Sequence, residues 1–133
     1  MSWITPSVAH KENKNRGSVY LVFEFVEHDL HGILDSKVRF DLSHIKCLMR
    51  QLLEGINYLH DRSIIHRDIK GGNLLLNKHG VLKIADFGLA RNFYPTNKDA
   101  MYTSRVVTLW YRAPELLLGM QNYSAAIDVW SIG

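Results

Sequence analysis

The polar run His66-Arg67-Asp68-Ile69-Lys70-Gly71-Gly72-Asn73 constrains this chain more than any other stretch. Apolar residues flank it, Ile64-Ile65 before and Leu74-Leu75-Leu76 after, so a charged loop must be carried between two segments that seek a core. The loop gathers a carboxylate, a lysine, two glycines and an amide. A second carboxylate follows in Asp86-Phe87-Gly88, with a glycine suited to a turn. Between them, Leu74-Leu75-Leu76, the turn Asn77-Lys78-His79-Gly80 and Val81-Leu82-Lys83-Ile84 read as a β-hairpin. Such a hairpin carries Asn73 at one end and Asp86 at the other, so two hard oxygen donors can face one Mg²⁺. Residues of these types can hold a nucleotide's phosphates and orient a hydroxyl towards them. Any one of them alone reads better as part of a polar turn. The ordered set, with Ala113-Pro114-Glu115 downstream, does not.

Upstream, Ile45, Leu48, Met49, Leu52, Leu53, Ile56 and Leu59 recur at three- and four-residue steps, which predicts a helix with one stripe facing a core. Asp41 or Ser43 opens it. Lys46 and Arg50 lie off the stripe and are expected in solvent. His60 ends the pattern with no partner at metal-ligand spacing. Glu27-His28-Asp29-Leu30 is expected to start a short helix with Asp29 as its cap or first-turn acid. Ser18 to Phe25 is a β-branched and aromatic run, long enough for one buried strand. Met1 to Arg16 is polar and unpatterned, and is expected to be a disordered or atypical leader. From Leu89 to Thr108 apolar periodicity disappears, and a long loop inside a compact domain is usually functional. Pro114 to Gly119 reads as a short helix with proline in its first turn, and Ser124 as the cap of a last helix.

Composition narrows the class. Apolar residues make up 47% and charged ones 22%, enough for a core and a wetted surface, as in a soluble intracellular protein. The net charge of +3 is mild and its lysines and arginines are scattered, which argues against direct nucleic-acid binding. No run approaches membrane-spanning length, so no membrane partner is expected. Cys47, the single cysteine, sits in the apolar helical pattern and is expected to be buried.

From about Gly17 to its last residue the chain resembles the eukaryotic protein kinases, whose recognised signature set these motifs match. Lys70, two places after Asp68, resembles the serine/threonine branch. The resemblance implies an α+β, protein-kinase-like fold that is partial: a hinge strand plus the mainly helical large lobe, up to the start of its central buried helix. Residues 17–133 would form this partial domain and 1–16 the leader. It also implies ATP and Mg²⁺, with Asp68 taking the acceptor's proton, Lys70 neutralising charge on the transferring phosphoryl group, and Asn73 and Asp86 as metal ligands. Around the nucleotide, Phe23 would be the gatekeeper, Glu24 and Val26 would offer backbone groups to the base, Asp29 would lie at the mouth of the ribose site and Leu75 under the adenine. Residues 89–108 become the activation segment. Thr103 is its phosphate acceptor, Tyr102 a competitor, and Arg67 and Arg91 the receivers. Val107, in a left-handed conformation with its carbonyl turned towards Arg112, would form a +1 pocket for proline. Asp128 would brace the backbone at His66-Arg67, and Glu115 would be a buried carboxylate without its usual arginine.

Phe23-Glu24-Phe25, Glu27-His28-Asp29-Leu30, Val106-Val107-Thr108-Leu109-Trp110-Tyr111-Arg112 and Glu115-Leu116-Leu117-Leu118-Gly119 resemble cyclin-dependent kinases. Gly17 to Phe23, His28-Asp29-Leu30-His31-Gly32 and Phe93 to Tyr102 are most similar to their transcription-elongation branch, which implies a nuclear protein acting on Ser/Thr-Pro sites of RNA polymerase II C-terminal repeats. Ala113 departs from that branch, where proline is common. Mitogen-activated kinases fit less well, since Tyr102-Thr103 reverses the order of their Thr-X-Tyr. Kinase domains run to roughly 250 residues. A glycine-rich loop, a strand lysine and the cyclin-facing helix are not recognisable in this chain, so by itself it is expected to be inactive, with cyclin a partner of the longer protein. The alternative is a non-catalytic kinase-like protein that binds kinase partners or substrates.

Overall fold

The computed structural model describes residues 21–93 and 100–133. The leader, the first part of the Ser18–Phe25 run and most of the Phe93–Tyr102 segment lie outside the described residues.

The longest element begins where Asp41 Oδ1 accepts the amide of His44 at 2.9 Å, satisfying one of the donors a helix start leaves open, while the Ser43 hydroxyl bonds the same oxygen at 2.7 Å. From this cap α2 runs over Leu42–Asp61. Its stripe does not face one core throughout. Leu52, Ile56 and Leu59 are buried, but Leu42, Ile45, Met49 and Leu53 are exposed. The covered half is the one packed on Ile64–Ile65 and Leu82–Ile84, and apolar periodicity buries a helix face only where another element meets it. Cys47 lies in the uncovered half and is exposed, contrary to expectation. Arg50 bonds Glu54 at 2.7 Å along the helix surface.

The hairpin forms as expected. Strands β3 (Leu74–Leu76) and β4 (Leu82–Ile84) pair antiparallel, and Gly80 takes the left-handed φ of 75° that the turn requires. Gln51 of α2 holds the turn to the helix, donating to the Gly80 carbonyl and accepting from the Leu82 amide, both at 3.0 Å. His28–Asp29 does not enter a helix. It forms β1, which pairs with β3 and puts Asp29, Leu75 and Lys83 in one cross-strand row. The short helix α1 is Leu30–Asp35, capped by Asp29, whose Oδ1 accepts the Gly32 amide at 2.9 Å. A second ribbon joins β2 (Ile64–Ile65) to β5 (Arg91–Asn92).

Leu21 to Phe25 is not a buried strand. It has no regular structure, and Phe23 and Phe25 are 59% and 87% exposed, because no described strand pairs with it. Phe23 is therefore not a core residue here. Downstream, α3 (Pro114–Leu117) starts on its proline, and α4 (Ala126–Ile132) has its first amide bonded to the Ser124 hydroxyl at 3.3 Å. Helix α4 buries Ile127, Asp128 and Ser131 but leaves Val129 and Trp130 exposed, so one face only is covered. Glu115, expected buried, is half-exposed at the start of α3, where the solvent screens its charge.

Two apolar clusters result. One gathers Leu52, Ile56, Leu59, Ile69 and Leu74 between α2 and the hairpin; the other gathers Ile65, Val106, Val107, Ala113, Leu116, Tyr123 and Ile127. Ile65 belongs to one and Ile69 to the other, so the polar loop is strung across the boundary between them. That is what holds it still. Among the described residues no helix is long and apolar enough to cross a membrane.

Candidate active site

The backbone of the polar loop is gripped from below. Asp128, 1% exposed on α4, accepts the Arg67 amide on Oδ1 and the His66 amide on Oδ2, both at 2.9 Å, and its Oδ2 also lies 2.9 Å from His60 Nε2. Arg67 sits at φ 69°, a conformation that costs about 1–3 kcal/mol and persists only where surroundings enforce it. His66 is fully buried. Its Nδ1 receives the Asp68 amide at 3.2 Å and its Nε2 meets the Ala85 carbonyl at 3.0 Å, so the proton belongs on Nε2. Burial pushes the imidazole below its ordinary value, against the pull of Asp128, and keeps it neutral.

With the backbone fixed, the side chains of the loop converge. Asp68 Oδ1 accepts the Thr108 amide at 3.2 Å and its hydroxyl at 2.9 Å, while Oδ2 accepts Asn73 Nδ2 at 3.0 Å and Lys70 Nζ at 2.9 Å. Lys70 also reaches the Thr108 hydroxyl at 3.2 Å. Burial alone would raise the Asp68 carboxyl, but the bonds from Lys70 and Thr108 outweigh it and hold the group below its ordinary value. It is an ionised carboxylate at neutral pH, fixed in orientation by four donors.

Asn73 spends its amide nitrogen on Asp68, giving 2.8 Å to the Asp68 carbonyl and 3.0 Å to Oδ2, which leaves the amide oxygen as the atom a cation would take. The hairpin register, extended by the bond from the Ala85 amide to the Asn73 carbonyl at 2.9 Å, sets Asp86 beside it. Asp86 is exposed, at φ 61°, with Oδ1 capping the turn Phe87–Leu89 through the Gly88 amide at 3.2 Å. One anionic and one neutral oxygen donor on adjoining strand ends fit Mg²⁺, which takes few protein ligands and completes its shell from water and phosphate. Among the described residues there is no cluster of three or more His, Cys, Asp or Glu that could hold a metal.

On the far side of Thr108, Val107 takes φ 66°, and its carbonyl is held by Arg112 at 3.0 Å from Nη2 and 3.3 Å from Nε. Arg112 Nε also takes the Val106 carbonyl at 3.0 Å. A β-branched residue at positive φ is a genuine outlier. Val107 and Val106 are buried, but not against Trp110, which is 87% exposed. Arg67, Asp86 and Val107 thus bring three of the five positive-φ, non-glycine residues among those described to one site.

The protein kinase domain pattern matches residues 8–133. The chain belongs to the protein kinase family. It is 54% identical over 122 residues to cyclin-dependent kinase C-2 of Oryza sativa subsp. japonica, covering 91% of this chain and 24% of that relative. Over 122 residues it is 53% identical to cyclin-dependent kinase C-1 of Arabidopsis thaliana, with shares of 91% and 24%. With cyclin-dependent kinase G-2 of Oryza sativa subsp. indica it shares 56% over 117 residues, 87% of this chain and 16% of that one. A solved structure, the yeast RNA Pol II CTD kinase CTDK-1 complex, superposes with a TM-score of 0.81 at 45% identity, covering 97% of this chain and 42% of that one. The fold is protein-kinase-like, mixed helix and sheet. The chain spans about a quarter or less of the length of these curated relatives, 24% and 16%.

The other residues singled out in this kinase sequence have these positions. Thr103 is exposed, and Arg67 reaches its segment through Tyr123; Arg91, on β5, is exposed and near enough to act on the Tyr123 phenol electrostatically. Leu75 is half-buried in the row with Asp29, whose carboxylate is occupied as a cap. Glu24 pairs its carboxylate with the Lys83 ammonium, and Val26 is half-buried nearby in sequence. Thr108, His60 and Tyr123 carry contacts that sequence reasoning missed. A threonine directly after an expected strain point was a usable signal for the first, while His60 and Tyr123 act through partners far along the chain.

Proposed function

We propose that this chain is the catalytic-loop and activation-segment part of an ATP-dependent serine/threonine kinase of the cyclin-dependent type. The observation that carries the reading is the Asp68 cluster, an oriented carboxylate with Lys70 and Thr108 at its edge and the Asn73–Asp86 donor pair beside it. Kinase family members use ATP and Mg²⁺, and bound Mg²⁺ would supply charge neutralisation to the phosphates. Asp68, held below its ordinary value, is a weak base in the resting state, so its main work is to orient the acceptor hydroxyl and take its proton as the bond to phosphorus forms. Lys70, bridging Asp68 and Thr108, can pass its charge to the transferred phosphoryl group. Phe23, Glu24, Val26, Asp29 and Leu75 are assigned to the nucleotide.

The Val107 carbonyl, taken up by Arg112, cannot accept a substrate N–H, which supports preference for proline at +1, since any other residue would leave its amide unmet. A phosphate on Thr103, facing Arg67 and Arg91, would order the activation segment through charge-assisted hydrogen bonds. The names of the relatives support a cyclin partner and RNA polymerase II C-terminal repeats as substrate; a nuclear setting is proposed because such a substrate would require it.

The test is phosphate transfer to a Ser-Pro peptide by the longest natural form of the protein with its cyclin. Asp68→Asn should abolish it, and replacing the +1 proline by alanine should cut kcat/KM at least about tenfold, the factor for one unmet donor. Equal use of the alanine peptide would remove the proline-directed assignment. Peptide binding without transfer would favour the non-catalytic alternative.

A further inference from the structure

Tyr123 lies between α3 and α4, and its ring is part of the core that holds Ile65, Val106 and Ile127. The ring needs no hydroxyl for that. Yet the hydroxyl accepts Arg67 Nη1 at 2.9 Å and donates to the Thr103 carbonyl at 2.7 Å. A guanidinium can only donate and a carbonyl only accept, so the single phenolic proton points at Thr103. The chain of bonds continues from Arg67 Nε to the Leu89 carbonyl at 2.7 Å, and Leu89 ends the turn that Asp86 caps. Arg67 cannot respond with its backbone, which Asp128 holds at φ 69°. Its guanidinium is the part that answers to Tyr123.

We propose that Tyr123 is a positioning residue of the active site, its hydroxyl tying the Thr103 backbone to the Arg67 guanidinium so that the activation segment sets the placement of the Asp86 turn. The consequence for catalysis rests on the phosphoryl-transfer reading above; the tie does not. Burial raises the phenol above its ordinary value despite the opposing pull of Arg67, so the hydroxyl stays protonated and able to donate. Phosphate arriving on Thr103 would land on a residue already joined to its receiver. A purely packing role would leave phenylalanine equivalent at this position.

Amide hydrogen exchange on the whole chain tests this with Tyr123→Phe, Arg67→Lys and the double variant. Tyr123→Phe keeps the ring and should speed exchange about tenfold in both 103–107 and 87–90, the factor for one ordinary hydrogen bond. Amides of the 74–84 hairpin should not change. Arg67→Lys breaks the tie from its other end and should do the same to 103–107, and the double variant should add less than twofold to either single one. Independent, additive effects, or no change in 87–90, would overturn the proposal. If Tyr123→Phe loosens the whole chain, the judgement falls to Arg67→Lys, whose failure to touch 103–107 would also overturn it. Phosphothreonine placed at 103 should protect 87–90 at least about fivefold in the wild type and not in Tyr123→Phe. Equal protection in both would overturn the tie. If phosphothreonine protects neither, the Thr103 switch is wrong, while the unphosphorylated comparison still decides Tyr123.

Discussion

The loop His66 to Asn73, proposed for phosphoryl transfer, and the segment Leu21 to Glu27, in which Phe23, Glu24 and Val26 are proposed to meet the nucleotide's base, are held in opposite ways. In the loop, His66, Arg67, Asp68 and Asn73 are buried, and every buried side-chain nitrogen or oxygen among the described residues has a partner. The segment 21–27 is mostly exposed, has no ladder, and is fastened at Glu24 to Lys83. The loop has its geometry before any ligand arrives; the segment would take its geometry from what binds. Pre-organisation at the proposed transfer site fits that role, because there a misplacement of an ångström would cost rate. A base can be met by backbone groups that settle on contact.

Substitutions can break this contrast, starting with the largest effect. Asp128→Ala removes a buried carboxylate and strands the amides of His66 and Arg67, so it should cost about 3–5 kcal/mol in urea unfolding, enough to unfold the chain at moderate temperature. A loss under about 1 kcal/mol would mean that the loop is not braced from α4. Ile56→Ala, under the loop, should cost about 2–5 kcal/mol, whereas Ile45→Ala, on the same helix stripe but 46% exposed, should cost under about 0.5. Similar losses at the two would show that the first half of α2 is covered in solution.

Acid sharpens the contrast further. His66 is neutral in the fold because burial depresses it below 6.5, so in the unfolded chain it binds a proton that the folded chain refuses. Its contribution is complete above about pH 6.5 and is lost as pH falls towards the depressed folded value, at about 1.4 kcal/mol per unit for one proton. Asp68 adds a second loss below its ordinary 3.8, where the folded carboxylate resists a proton that the unfolded one takes up. Urea midpoints at pH 8, 6 and 5 should therefore decline, and His66→Gln should flatten the decline. A flat wild-type profile would contradict a neutral, buried His66. The smallest effect belongs to the segment: Phe25→Ser, at a residue 87% exposed, should change stability by no more than about 0.5 kcal/mol.

What could be read from the residues alone was whatever depends on local order. The left-handed Val107 was implied by the family resemblance alone, whereas the Asp41 and Asp29 caps, the glycine turn of the hairpin and the proline start of α3 all follow from side chains acting on neighbours a few positions away. The same applies to Asn73 and Asp86, because a hairpin brings its own ends together. Burial was read less well. Cys47, Ile45, Phe23 and Phe25 carry apolar or core-like signals, yet all are exposed, since periodicity says which face could be covered and not whether anything covers it. Glu115, whose burial the family resemblance implied, is half-exposed. The strand expected at Ser18–Phe25 did not form over its described residues. The sequence by itself determined the long helix, the hairpin and the turn that pairs Asn73 with Asp86, and it is the basis on which the reacting groups are proposed. Only the tertiary structure decided how those groups are held: Thr108 on Asp68, His60 on Asp128 and Tyr123 between Arg67 and Thr103 join residues from 20 to 68 positions apart. Contacts of that reach leave no periodic trace in a chain, because they depend on the angle at which two packed clusters meet and not on any local preference.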